Sequence, residues 1–172
     1  MAAAAGPDDM ASQVTRAYNL EAERLDAHDL GAWLTWVEDD FQYRVPIPVT
    51  RDDPRAPQHS ATGLLATETK DSIALWVSRL SPALADSAYA ENPPVRTRHF
   101  VTNVRAAVSL EGVVTATSNV LLTWGKWNEP PQFVAAERRD ELKDREGTLT
   151  LRRRTVLLDS NIVHLGHLRV LI

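Results

Sequence analysis

His99 is the residue in this chain best placed to do chemistry. From Thr97 onward the side chains alternate as in a strand, which sets Thr97, His99, Val101 and Asn103 on one sheet face and Arg98, Phe100 and Thr102 on the other. Glu91 precedes His99 by a distance that a loop can close, so a carboxylate–imidazole pair suited to proton transfer can form here. The same groups also make a satisfied structural contact, and that reading is preferred. Arg96, Arg98 and His99, with Asn103 on the His99 face, are expected to brace this segment through carboxylates such as Glu91, because buried charges persist only when paired. A second histidine pair, His164 and His167, would share a helical face and hold a metal with a third ligand such as Asp159. Gly166 and the apolar flanks Ile162, Val163, Leu165 and Leu168 read instead as a strand, which turns the two rings to opposite faces. Ser, His and Asp are present without a G-x-S-x-G elbow, and seven glycines include no phosphate-cradling loop, so serine hydrolysis and nucleotide binding lose support.

Composition narrows the field further. Cysteine is absent, which excludes disulfides, thiolate nucleophiles, zinc ribbons and cysteine-ligated iron–sulfur clusters within the chain. A formal net charge of −4 with mixed signs argues against nucleic-acid binding, and the run Arg152-Arg153-Arg154 reads as a surface or partner contact. No apolar run approaches the length of a membrane span and no secretory signal pattern opens the sequence, so a cytoplasmic location is expected. The 172 residues suit one domain over 10–172 after a flexible tail over 1–9.

The elements that must position these residues divide at Pro93 and Pro94, which forbid a helix through that point. Upstream, Val14, Tyr18, Ala22 and Leu25 form one stripe of an amphipathic helix, with Glu21, Glu23, Arg24 and Asp26 on its wet faces. Asp29 is placed to cap a second short helix carrying Leu30, Trp33, Leu34 and Val37, and Trp33 and Trp36 are expected in the core. Residues 41–49 alternate as a strand whose Pro46 and Pro48 suit a sheet edge or a strand leaving its sheet. A long surface excursion then runs from Thr50 to about Gly63, followed by a helix over Thr67–Leu80. Downstream, Glu111-Gly112 and Glu146-Gly147 supply tight turns and Asn128–Pro131 a wider one, which predicts strands near 97–109, 113–126, 132–144 and 148–159. Helices first and hairpins after indicate an α+β fold, a curved antiparallel sheet wrapped on the N-terminal helices.

These residues resemble a known family, the small (beta) subunit of bacterial aromatic-ring-hydroxylating dioxygenases of the Rieske non-haem iron class. The resemblance rests on Glu21-Ala22 with Leu25-Asp26, on Trp33-Leu34, and on Asp39-Asp40-Phe41-Gln42-Tyr43-Arg44-Val45-Pro46, which is similar to the family's acidic, aromatic, Y-x-x-P strand. More specific is Glu91-Asn92-Pro93-Pro94-Val95-Arg96-Thr97-Arg98-His99-Phe100-Val101-Thr102-Asn103-Val104, close to its E-x-P-P-x-R-T-R-H-x-V-x-N-V pattern. Arg138–Leu142 and Arg154–Asp159 echo its last strands, while the Thr148–Leu151 run and Val163–Ile172 depart from it. The resemblance implies a cone-shaped, NTF2-like or cystatin-like sheet closed by helices. It implies a subunit with no catalytic, cofactor or metal site of its own, partnered with a large (alpha) subunit as alpha3beta3, where the alpha subunit carries the Rieske 2Fe-2S cluster and the mononuclear iron. The missing cysteines agree, since a Rieske centre needs two Cys beside two His. The competing reading is a free-standing isomerase or dehydratase of the same fold, acting on a small apolar substrate with Tyr43 as hydrogen-bond donor and Asp40 or His99 as the acid–base group.

Overall fold

Met10, Val14, Tyr18, Glu21 and Leu25 recur at helical spacing along α1 (Pro7–Asp26), and all five are buried, so one stripe of this helix faces the core. The computed structural model describes residues 7–79, 95–109, 111–125, 130–160 and 171–172. α1 begins at Pro7, a residue suited to the first helical position because its missing N–H has no partner to lose there. Pro7, Asp8 and Asp9, expected within a tail over 1–9, belong to α1. Asp29 caps α2 (Leu30–Trp36) as expected, its Oδ1 accepting from the Ala32 N–H at 3.0 Å. Trp33 and Trp36 are both buried, and Trp33 meets Phe41 edge to face at 5.8 Å between centroids.

β1 (Val37–Pro48) follows α2 directly, then β2 (His59–Thr69), α3 (Lys70–Ser78), β3 (Arg96–Val108), β4 (Val113–Gly125), β5 (Gln132–Arg145) and β6 (Thr148–Leu158). The described strands form a six-stranded sheet in the order β2-β1-β6-β5-β4-β3. The last four are the expected hairpin strands with shifts of one residue or so at their ends. Their turns use positive φ where the sequence allows it: Gly112 at 77°, and Glu146 at 55° with Gly147 at 87°, the pattern of a type I′ turn.

Three expectations fail for identifiable reasons. β1 is interior rather than an edge, because it pairs with β6 through Gln42–Arg44, before the prolines, and its proline half meets β2 with an irregular register. The β1–β6 pair is parallel, so the sheet is mixed rather than wholly antiparallel. β2 occupies the end of the supposed surface excursion, and the helix starts at Lys70 rather than Thr67, held by a capping box between Thr69 and Ser72. No β2 residue is fully buried, as befits the true edge strand, so it lacks the alternation that marks β1. Leu80, Glu91, Pro93, Pro94, His164 and His167 lie outside the described residues.

Candidate functional site

The concave face of the sheet carries charge. Along β5 the inward positions read Val134, Ala136, Arg138, Asp140 and Leu142, an unbroken alternation that places a cation and an anion in the core. On β6, Leu149 and Leu151 point inward at odd numbers, whereas Arg154, Val156 and Leu158 do so at even numbers. The change of parity is a bulge: Glu141 pairs with Arg153 and Leu142 with Leu151, leaving Arg152 unpaired and turning Arg154 into the core. The basic run is therefore split. Arg152 bonds the exposed Asp40 at 2.8 Å and Arg153 bonds Glu141 at 2.5 Å, while Arg154 is 0% exposed.

Arg154 is the hub. It donates from Nη1 and Nη2 to Glu21 at 2.6 and 3.0 Å, and from Nε and Nη2 to Asp140 at 3.0 and 2.7 Å. Such two-pronged contacts match the guanidinium fork to the carboxylate. Arg138 adds Nη1 to Glu21 at 3.1 Å and Nε to Ser118 at 3.2 Å, Tyr18 donates to Asp140 at 2.7 Å, and Trp33 Nε1 donates to Glu21 at 3.0 Å. The Arg138 guanidinium also lies 4.5 Å from the Tyr18 ring centre, within cation–π range. Two cations face two anions, so the formal charge of the cluster is zero. Arg138 Nη2 has no partner among the described residues. Burial works against the Glu21 carboxylate, but the Arg154 and Arg138 charges outweigh it and hold the group down at about 2. Burial, then the Asp140 charge, push the Tyr18 phenol well above its ordinary value. Burial also opposes the Arg154 charge, yet Asp140 and Glu21 raise it well above the usual value. These groups are locked in fixed protonation states, which suits support rather than proton transfer.

Glu21 and Arg154 contradict their sequence assignments, one to a wet helix face and the other to a surface or partner contact. The signal was present for both. Glu21 lies three residues after Tyr18 and four before Leu25, on the apolar stripe itself, and the opposed parities of Leu149/Leu151 and Val156/Leu158 announce the bulge.

His99 is held at a second buried place. Its Nδ1 lies 2.6 Å from Asp26 Oδ1, its backbone N–H donates to Asp26 Oδ2 at 3.2 Å, and its Nε2 lies 2.9 Å from the Leu171 carbonyl oxygen. Asp26, expected on a wet face, has only 8% of its side chain exposed and also takes Arg98 Nη1 at 3.4 Å. Burial raises the Asp26 carboxyl, but the bonds and charge of His99 outweigh it and bring the group below its ordinary value. Arg96 is exposed at the start of β3. Asn103 adopts φ 53° at a bulge where Thr102 pairs with Asn119 and Arg105 with Thr117, so it leaves the His99 face and is exposed. Tyr43 is buried, its hydroxyl accepting from the Ile172 N–H at 3.3 Å, and burial pushes the phenol up to about 12. Asp40 stands on the opposite face of β1 from Tyr43, bonded to Arg152, whereas Tyr43 and His99 reach the same Leu171–Ile172 peptide. Among the described residues no three His, Asp or Glu side chains are grouped to hold a metal ion.

Residues 20–164 match the family described as ring hydroxylating beta subunit. The chain belongs to that family. Among its relatives is the chlorobenzene dioxygenase subunit beta of Cupriavidus sp. (strain PS12), 30% identical over 156 residues covering 88% of this chain and 82% of the relative. The benzene 1,2-dioxygenase subunit beta of Pseudomonas putida is 26% identical, over 90% of this chain and 84% of its own. In fold, this beta-subunit chain is similar to a solved structure of naphthalene 1,2-dioxygenase with bound indole, with a TM-score of 0.81, 23% identity and coverage of 98% and 88%. A putative scytalone dehydratase from Novosphingobium aromaticivorans superimposes less closely, at a TM-score of 0.58 and 14% identity over 87% and 83% of the two chains. The cone architecture expected for a ring-hydroxylating beta subunit is thus found, shared with NTF2-like neighbours.

Proposed function

We propose that this chain is the non-catalytic small subunit of a multicomponent dioxygenase that dihydroxylates aromatic compounds, and that it stabilises the large catalytic subunit. The observation that carries this reading is the occupied interior of the cone. Family membership supplies the context, and the concave face holds a neutral, hydrogen-bonded cluster of Glu21, Asp140, Arg138 and Arg154 where an enzyme would need room for a substrate. The chain has no cysteine, so its residues do not fit a Rieske cluster, which falls to the large subunit together with the mononuclear iron. The outer face offers contact surface in support. Phe100 and Leu121 are directly paired across β3 and β4, Phe133 on β5 pairs with Thr123 two residues along β4 from Leu121, and Phe100, Leu121 and Phe133 are all exposed.

The expected assembly is three copies of this chain with three large subunits, since closed cyclic symmetry buries extended interfaces without exposing new ones. Native mass measurement on the co-purified complex should return that stoichiometry. A one-to-one heterodimer, or a complex lacking this chain, would count against it.

Within the subunit, Asp26, Arg98 and His99 act as a structural brace between α1 and β3, the role expected of Arg98 and His99 but with Asp26 as the carboxylate. Asp26→Ala should cost about 2–4 kcal/mol in urea denaturation, because it leaves the buried Nδ1 and backbone N–H of His99 without an acceptor. A variant of undiminished stability that had nevertheless lost turnover in the assembled complex would make the pair catalytic instead.

A further inference from the structure

One peptide unit bridges side chains of β1 and β3. Leu171 and Ile172 are buried, at 7% and 3% exposure, and belong to the apolar core. The carbonyl oxygen of the peptide that joins them lies 2.9 Å from His99 Nε2, and its N–H donates to the Tyr43 hydroxyl at 3.3 Å. Tyr43 is on β1 and His99 on β3, with β6, β5 and β4 between them in the sheet. In a flat sheet, strands four places apart would stand about 19 Å from each other. Here two of their side chains grip opposite edges of a single amide, so the curl of the sheet has brought a donor and an acceptor into register. Both ring nitrogens of His99 face oxygen acceptors, Asp26 Oδ1 at Nδ1 and the Leu171 carbonyl at Nε2, so the ring donates on both sides as an imidazolium whose charge the Asp26 carboxylate balances.

We propose that Tyr43 and His99 form a receptor for one secondary amide flanked by branched aliphatic groups, which the chain fills with its own Leu171–Ile172. The site takes an acceptor and a donor on opposite edges of one planar group inside apolar walls, which an amide provides and a ketone, ester or carboxylate does not. Vacated, it would accept such an amide from solution. This inference goes beyond the subunit role and holds whether or not the chain assembles with a large subunit.

Hydrogen exchange on the full chain tests occupancy. The Ile172 amide should exchange at least about tenfold more slowly than an unstructured reference, and Tyr43→Phe should remove that protection while leaving the amides of β4 and β5 protected. Ile172 exchange at the unstructured rate would overturn the proposal. A chain shortened to residue 170 tests recognition, with acetyl-Leu-Ile offered at about 1–10 mM, since a tethered segment competes from an effective concentration on the order of millimolar. The shortened chain should melt about 5–10 °C lower, regain stability saturably with the probe, and bind it about 2–10-fold more weakly when Tyr43→Phe is added. A folded shortened chain that melts as before, or gains nothing from the probe, would overturn the proposal. If that chain does not fold, the exchange result on the full chain decides.

Discussion

Replacing Arg154 with methionine should destabilise the chain by about 3–5 kcal/mol, because it strands two buried carboxylates, Glu21 and Asp140, that share this guanidinium. Arg138 reaches Glu21 through Nη1, and Tyr18 reaches Asp140, so neither carboxylate loses every bond; both lose their strongest one. The midpoint of chemical denaturation measures the loss, and a change below about 1 kcal/mol would mean that the cluster is not a folding determinant. The effect has a pH signature. Glu21 titrates at about 2 in the folded chain against 4.5 ordinarily, so its contribution is fully present above pH 4.5 and is lost as pH falls through 2. That depression amounts to about 3 kcal/mol of stability in neutral solution. In Arg154→Met the Glu21 carboxyl protonates more readily, so the slope of stability against pH over this acid range should flatten. Combining Glu21→Gln with Arg154→Met should cost less than the sum of the two single changes, because each alone leaves its partner buried with one opposite charge fewer.

Local signals in the sequence located most of the fold, and long-range geometry accounts for what they missed. Gly112 and Gly147 at turns and the alternation of β3 to β6 are properties of neighbouring residues, and they located the hairpins. Asp29 revealed the start of α2 in the same way. β2 carries no strong alternation because it is an edge, and the proline half of β1 imitates one. Ala22 imitates the third position of the apolar stripe and hides Glu21, and three consecutive arginines imitate one surface or partner contact although a bulge divides them. His99 stands out by its strand face and its need for a carboxylate partner. The partner, Asp26, lies 73 residues away, and the Leu171 carbonyl lies 72 residues away in the other direction. No local pattern connects them. They meet because α1 packs against β3 and because the sheet curls far enough for β1 and β3 to touch the same peptide.

The second large effect is all-or-none. Purified alone, this chain should contain no iron, show no Rieske absorbance and oxidise nothing, while supporting dihydroxylation once combined with its large subunit and electron-transfer proteins. The ground is ligand supply. A Rieske centre needs two cysteines that this sequence does not contain. Oxygen activation at non-haem iron uses two histidines and a carboxylate with open coordination positions, and no such group occurs among the described residues. His99, which reaches the same peptide as Tyr43, is committed to Asp26 and Leu171.

Metal analysis together with an arene dihydroxylation assay, run on the lone chain and again after mixing with the large subunit, separates a supporting subunit from a catalyst. Neither iron nor turnover is expected in the first sample, and turnover is expected in the second. Stoichiometric iron or oxidation by the lone chain would contradict the supporting role.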